Sequence, residues 1–225
     1  MLMSAMRSGR AVGGGAAAEL PRKTSALLSQ LTELLPCVIV SGRARADVIP
    51  RLSDLQMAEV VGNHGSEPFV DLAPLKAQVA RWLPLLQERL GHLTGILLED
   101  KGCSLSIHYR NVPARHEVMT LALDAIQALQ VGRVVQGKYV LNLLPKGALH
   151  KGAGLCRAMA KLNKTRALYI GDDDTDEDVF RLPSAAGVLG IRVDYRSSSL
   201  APLYLYGQVE IDALLSFLLT VLQAG

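Results

Sequence analysis

The chain has 225 residues, 49% of them apolar and 4% aromatic, with 24 Lys+Arg against 21 Asp+Glu for a formal charge of +3. That much apolar material supports a packed core and excludes general disorder. The weak, scattered charge and scarce aromatics leave neither the basic footprint nor the stacking platform of a nucleic-acid binder. No apolar stretch reaches the roughly 20 residues of a membrane span, since Leu214–Leu222 is broken by Ser216 and Thr220.

The first twenty residues carry Arg7 and Arg10 with no apolar run behind them, so no secretory leader is expected. Gly9 to Gly15 follow no strand pattern and read as part of a flexible terminus. Cys37, Cys103 and Cys156 lack metal-ligand spacing and suit mostly buried thiols in a reducing compartment. The expectation is a soluble, cytoplasmic, monomeric protein that binds neither nucleic acid nor membrane.

From residue 22 helical and β-rich segments alternate. Leu27, Leu28, Leu31, Leu34 and Leu35 make a helical stripe, and Cys37–Val40 is an apolar run suited to a buried parallel strand. Arg45–Leu55 is expected as the next helix and Ala58–Val61 as the next strand, ending in Gly62-Asn63-His64-Gly65. The middle changes character. An amphipathic helix through Leu75, Val79, Trp82, Leu83, Leu86 and Leu90 precedes the strand-like Gly95–Glu99 and Ser104–Tyr109. A second helix, Ala114–Leu129, precedes Arg133–Val135 and Lys138–Leu144, with Gln136-Gly137 as the hairpin turn. Helix-strand-strand given twice predicts an antiparallel lobe over 69–148. The earlier rhythm then resumes: a helix over Lys151–Leu162, strands at Ala167–Ile170, Gly187–Val193 and Leu203–Tyr206, and a helix from Val209. The fold class is α/β. A Rossmann-like parallel-sheet core, 1–68 (its first 20 residues flexible) and 149–225, carries an inserted α+β cap, and its ligands should bind beyond the carboxyl ends of the strands.

The densest constellation is Gly171-Asp172-Asp173-Asp174-Thr175-Asp176-Glu177-Asp178, directly after an apolar strand. Six carboxylates in seven residues repel one another, and a hard divalent cation with oxygen ligands relieves them. The competing reading is a helix start, with Thr175 as N-cap and Asp178 three residues on, which leaves Asp172 and Asp173 unexplained. An EF-hand is excluded, because its sixth loop place would be Glu177 and its twelfth Pro183. Ser41-Gly42-Arg43 ends another strand with a hydroxyl and a glycine that admit an anion, or with a plain turn. Lys151, after His150 and before Gly152, opens a helix, where a cation opposes the dipole; an anion held there or a solvated lysine would each explain it. A hydroxyl, a lysine and an acidic metal loop at three strand ends suit phosphoryl chemistry.

In the order Ser41-Gly42-Arg43, Gly62-Asn63-His64-Gly65, Lys101-Gly102, His108-Tyr109-Arg110, Lys151-Gly152 and Gly171–Asp178, the chain resembles the trehalose-6-phosphate phosphatases of the haloacid dehalogenase superfamily from about residue 22 to the end. The resemblance implies a mobile cap inserted after the second core motif. It implies hydrolysis of trehalose 6-phosphate to trehalose and phosphate in trehalose biosynthesis, with Mg²⁺ held by Asp172 and supported by Asp173 or Asp176. Ser41 and Lys151 then contact phosphate, with Gly42, Arg43, Asn63, His64 and Gly65 around the substrate. Lys101, His108 and Arg110 would recognise the sugar, and Asn142 stands where many relatives carry a glutamate.

The family's nucleophile, the first aspartate of an Asp-x-Asp-Gly-Thr segment ending the first strand, has no counterpart: no aspartate precedes Asp47. The expectation is therefore a core without its first strand, in a chain that starts late or is a degenerate copy, unless Met1–Met6 supplies a substitute strand. Two alternatives stay open: a catalytically impaired protein that binds a sugar phosphate, and a phosphatase for another sugar phosphate.

Overall fold

The computed structural model describes residues 2–4, 20–52, 55–207 and 209–224. Leu2–Ser4 (β1) runs parallel to Cys37–Val40 (β2) on one side and to Ala167–Gly171 (β8) on the other. The expected gap in the core sheet is thus filled, and the absence of a first strand is corrected. Three residues suffice because the inner edges of β2 and β8 each need a partner for their backbone groups, and a short strand answers both ladders. These residues also depart from the flexible terminus expected for the first 20; Gly9 to Gly15 lie outside the described residues.

Outward from β8 come Val188–Val193 (β9) and Leu203–Leu205 (β10); beyond β2 lies Glu59–Val61 (β3), giving the order β10-β9-β8-β1-β2-β3, parallel throughout. Every position of β2 is buried, as a strand covered on both faces requires. One face is covered by Arg22–Leu34 (α1) and Val209–Ala224 (α7), which bury Leu28, Leu31, Leu215 and Leu219 against Cys37, Ile170, Ile191 and Val193. Burial pushes the Cys37 thiol up to about 11, so it stays a protonated apolar filler. Lys151–Lys161 (α5) lies against β2 and β3.

The helix expected over Arg45–Leu55 is shorter. It runs Arg45–Val48 (α2) and passes into a 3₁₀ turn at Ile49–Arg51, because Pro50 has no N–H to continue the α ladder. Val48 and Leu52 still reach the core beside Ile39 and Val60.

Two compact units emerge, Met1–Pro68 with His150–Gly225, and Phe69–Leu149. The second holds Leu97–Asp100 (β4), Leu105–His108 (β5), Arg133–Gly137 (β6) and Val140–Leu144 (β7) in an antiparallel sheet ordered β4-β5-β7-β6. Ala73–Leu90 (α3) and Arg115–Gln127 (α4) pack on it through Val79, Trp82, Leu86, Ala122 and Ile126, against Leu105, Ile107, Leu141 and Leu143. The indole N–H of Trp82 is satisfied by the Leu129 carbonyl at 3.0 Å. The hairpin turn falls at Lys138-Tyr139, two residues later than expected. Gly137 pairs with Val140, and Tyr139 takes the positive φ, 64°, that so tight a loop demands.

Leu86 is fully buried in this second core. Leu86→Ala should cost about 2–5 kcal/mol, read as an earlier urea midpoint in the emission of Trp82, the chain's single tryptophan.

Candidate active site

The site grows from the carboxyl end of β8, where Asp176 is completely buried. A buried carboxylate needs donors at its lone pairs. Oδ1 accepts from Lys151 Nζ at 2.7 Å and from the Tyr169 hydroxyl at 2.6 Å. Oδ2 accepts from the amides of Asp172 at 2.9 Å and Asp173 at 2.8 Å. Burial alone would pull Lys151 down, but the charges of Asp176, Asp173 and Asp172 outweigh it and hold the ammonium above its ordinary value. Burial and then the Asp176 charge push the Tyr169 phenol well up, so it keeps the proton it donates.

The acidic stretch does cap a helical turn, but two residues earlier than Thr175. Asp173 is the N-cap of a 3₁₀ turn, Asp174–Asp176, and Asp176 closes the reciprocal capping box. The following helix is one turn, Glu177–Phe180 (α6). Much of the charge relief comes from the protein itself: Lys151 serves Asp176, Arg196 pairs with Asp174, and Arg192 pairs with Glu177 at 2.6 Å.

The second wall is the end of β2. Ser41 is buried; its Oγ accepts from the Arg43 amide at 3.1 Å, which leaves the hydroxyl proton to give. Its carbonyl accepts from the His64 amide at 2.9 Å, and the Arg43 carbonyl from the Asn63 amide at 2.8 Å, so the loops after β2 and β3 are tied together. The His64 ring stands where a Cβ of Gly42 would be, 2.6 Å from that point, which explains the glycine. Asn63 and His64 hold left-handed backbone, with φ of 49° and 55°. The Asn63 side chain donates through Nδ2 to Glu67 Oε2 at 2.9 Å, and that oxygen also takes the Arg45 backbone amide at 2.7 Å.

The start of α5 joins the two walls. Gly154 and Gly65 meet backbone to backbone, a Cβ on Gly154 falling 2.5 Å from the Gly65 Cα. His150 caps the helix, its Nδ1 accepting from the Ala153 amide at 3.3 Å. One end of one unit therefore gathers Ser41, Gly42, Arg43, Asn63, His64, Gly65, Lys151, Asp172, Asp173 and Asp176. The Arg43 side chain is exposed.

The remaining candidates belong to the antiparallel unit. His108 Nε2 lies 2.8 Å from Glu99 Oε2, with Lys101 Nζ 3.5 Å from the same oxygen. Arg110 lies over the Tyr139 ring at 5.9 Å. Asn142 is engaged inward, its Oδ1 accepting from Ser106 at 2.7 Å and its Nδ2 facing the Val135 carbonyl at 3.5 Å. Sequence reasoning missed Tyr169, Glu67, Glu99 and Arg192. Only Arg192 left a readable mark, a charge inside an otherwise apolar strand.

Residues 14–202 match the family described as trehalose-phosphatase. The chain belongs to that family. It is 33% identical over 190 residues to a trehalose-phosphate phosphatase of Mycobacterium ulcerans (strain Agy99), covering 76% of this chain and 47% of that protein. A Mycobacterium tuberculosis (strain ATCC 25618 / H37Rv) trehalose-phosphate phosphatase is 30% identical over 177 residues, 72% of this chain and 45% of its own. The chain thus spans about half the length of the curated relatives it matches. Among solved structures, the C-terminal domain of C. albicans trehalose-6-phosphate phosphatase superposes with a TM-score of 0.75 at 20% identity, over 98% of this chain and 92% of that one. The sucrose-phosphatase of Synechocystis sp. PCC6803, solved with sucrose and phosphate, gives 0.62 at 14% identity over 99% and 97%. At such identities these likenesses establish the haloacid dehalogenase-like fold. No helix among the described residues is long and apolar enough to cross a membrane.

The family implies Mg²⁺, and the donor set can be tested against it. Among the described residues no three His, Cys, Asp or Glu side chains gather as a metal cage. Asp176 has its four donors and Asp173 its cap, while Asp172 stands half-buried at the strand end. One or two carboxylates completed by water and phosphate oxygens are what Mg²⁺ takes, so the residues fit it in that mode.

Two outcomes follow. Lys151→Ala strips the buried Asp176 of its cation and should cost about 3–5 kcal/mol, read from urea unfolding by circular dichroism. In the other unit, the His108 hydrogen bond, against opposing burial and with help from the Lys101 charge, lowers Glu99 to about 2. This folded value lies below the unfolded one of roughly 4.3, so the stabilisation is present above the unfolded value and is lost as pH falls through the folded one. The stability gap between the native chain and Glu99→Gln, followed by Trp82 emission, should shrink across that window.

Proposed function

We propose that this chain recognises trehalose 6-phosphate at the carboxyl ends of β2, β3 and β8, as the Mg²⁺-dependent site of a phosphoric monoester hydrolase of trehalose biosynthesis. The observation that carries this reading is Lys151, an ammonium kept charged by its carboxylate neighbours and 3% exposed at the start of α5, fixed on Asp176 within the same loop cluster as Ser41. A cation at a helix N-terminus works against the dipole; Asp176 takes one of the three ammonium donors, and the other two are assigned to a bound anion. The Ser41 hydroxyl proton and the Lys151 ammonium are assigned to phosphate oxygens, and Gly42 is assigned to making room for the His64 ring.

Mg²⁺ would be held by Asp172 with Asp173 in support, and when bound it offsets charge on the phosphate. Asp176, assigned as a ligand on the family resemblance, is better placed as the group that fixes the backbone of Asp172 and Asp173. Lys101, His108 and Arg110 are assigned to sugar recognition. Asn142, turned toward Ser106 and Val135, is assigned to the architecture of its sheet. Cytoplasmic location and a monomeric state belong to the same proposal.

A second reading is binding without turnover. It is favoured by β1, which fills the central place in the sheet and is followed in sequence by Ala5-Met6-Arg7 with no carboxylate until Glu19. Phosphoenzyme formation needs an attacking aspartate and a general acid.

Calorimetric titration with trehalose 6-phosphate and Mg²⁺ should show binding, and silence would overturn both readings. Phosphate release by the unaltered chain decides for the phosphatase. Release only after A5D/R7D, which writes the Asp-x-Asp spacing directly behind β1, decides for the binding protein. Preference for glucose 6-phosphate or sucrose 6-phosphate in the same assay would reassign the sugar.

A further inference from the structure

Arg192 is 2% exposed inside β9, between Ile191 and Val193, both of which pack into the core. An aliphatic residue would fill that place at lower cost, since a buried guanidinium must recover its lost hydration from partners. The recovery is incomplete: Nε has no hydrogen-bond partner among the described residues. What the arginine does reach is specific. In the β8–β9 ladder it sits opposite Gly171, the last residue before the acidic turn. From there Nη2 donates to the Asp172 carbonyl at 3.2 Å, and Nη1 to the Asp173 carbonyl at 3.5 Å and Glu177 Oε1 at 2.6 Å.

The consequence lies in the backbone of Asp172. Its own amide and that of Asp173 are held by Asp176 Oδ2, while its carbonyl is held by Arg192. Both peptide planes flanking its Cα are therefore anchored, and a planar peptide pinned on both sides leaves φ and ψ of Asp172 no slack. Glu177 offsets the guanidinium charge and is itself held by the Ser199 hydroxyl at 2.7 Å and the Leu200 amide at 2.9 Å.

We propose that Arg192 is a positioning residue for Asp172, setting the divalent-cation affinity of the acidic turn through the Asp172 and Asp173 carbonyls. The inference rests on the reading of Asp172 as the Mg²⁺-holding carboxylate. The sign of its effect separates it from simple electrostatics. Removing a nearby positive charge should tighten cation binding by Coulomb's law, whereas losing the clamp should weaken it; loss of an outer-shell partner lowers metal affinity about 10–100-fold.

The test titrates the full chain with Mn²⁺ alone, followed by water-proton relaxation enhancement, with circular dichroism confirming the fold of each variant. R192M should bind Mn²⁺ at least about tenfold more weakly, and R192K, whose ammonium cannot span two carbonyls, should fall between it and the native chain. E177Q, which spares both carbonyl contacts, should stay close to native. Binding by R192M as tight as native or tighter, or a loss in E177Q equal to that in R192M, overturns the proposal. If R192M does not fold, native affinity in R192K does the same. D172N isolates the underlying reading: undiminished Mn²⁺ binding there removes Asp172 from the site, whereas loss in D172N with native binding in R192M removes only Arg192.

Discussion

The four donors on the Asp176 carboxylate organise this end of the molecule. They come from three places in the chain: the Lys151 ammonium at the start of α5, the Tyr169 hydroxyl inside β8, and two consecutive amides of the turn behind β8. A completely buried carboxylate is tolerated only when its lone pairs are filled. Moving any of the three would leave a charge stranded, so helix, strand and turn hold one another in register. Lys151 is kept charged by the same arrangement, because nearby carboxylates outweigh the effect of burial.

From this anchor the rest of the loop cluster around Ser41 follows by close backbone approach. Gly154 lets α5 sit against Gly65; the turn containing Gly65 is bonded to the loop after β2; and that loop carries Ser41. A crowded run of acids is thereby made orderly largely with internal partners, including Arg192 and Arg196. The antiparallel unit has its own polar cluster of Glu99, Lys101 and His108, held by an ion pair and a hydrogen bond on one carboxylate oxygen.

Much of the fold was legible in order and type. The apolar run Cys37–Val40 and the heptad-like leucines of α3 fell where their periodicities placed them, and the doubled helix-strand-strand pattern is the antiparallel sheet of the second unit. The errors have local causes. Pro50 shortened the helix expected over Arg45–Leu55, and the β6–β7 register carried the hairpin turn on to Lys138-Tyr139. No motif marks the first strand in the sequence, whereas the sheet asks only for backbone groups, and Leu2–Ser4 supplies them.

The sequence by itself determined which chemistries were within reach. Carboxylates in a row behind an apolar strand, a lysine opening a helix and a Ser-Gly strand end are local patterns, and local patterns survive in one dimension. Tertiary structure alone decided how those groups are spent. Asp176 became an internal anchor, Asn142 turned toward Ser106, and Arg192 crossed from β9 to the carbonyls of Asp172 and Asp173. Each outcome is set by partners 3 to 36 residues away in sequence, and hydrogen-bond saturation in a dry interior depends on which groups meet in space, which spacing along a chain does not encode.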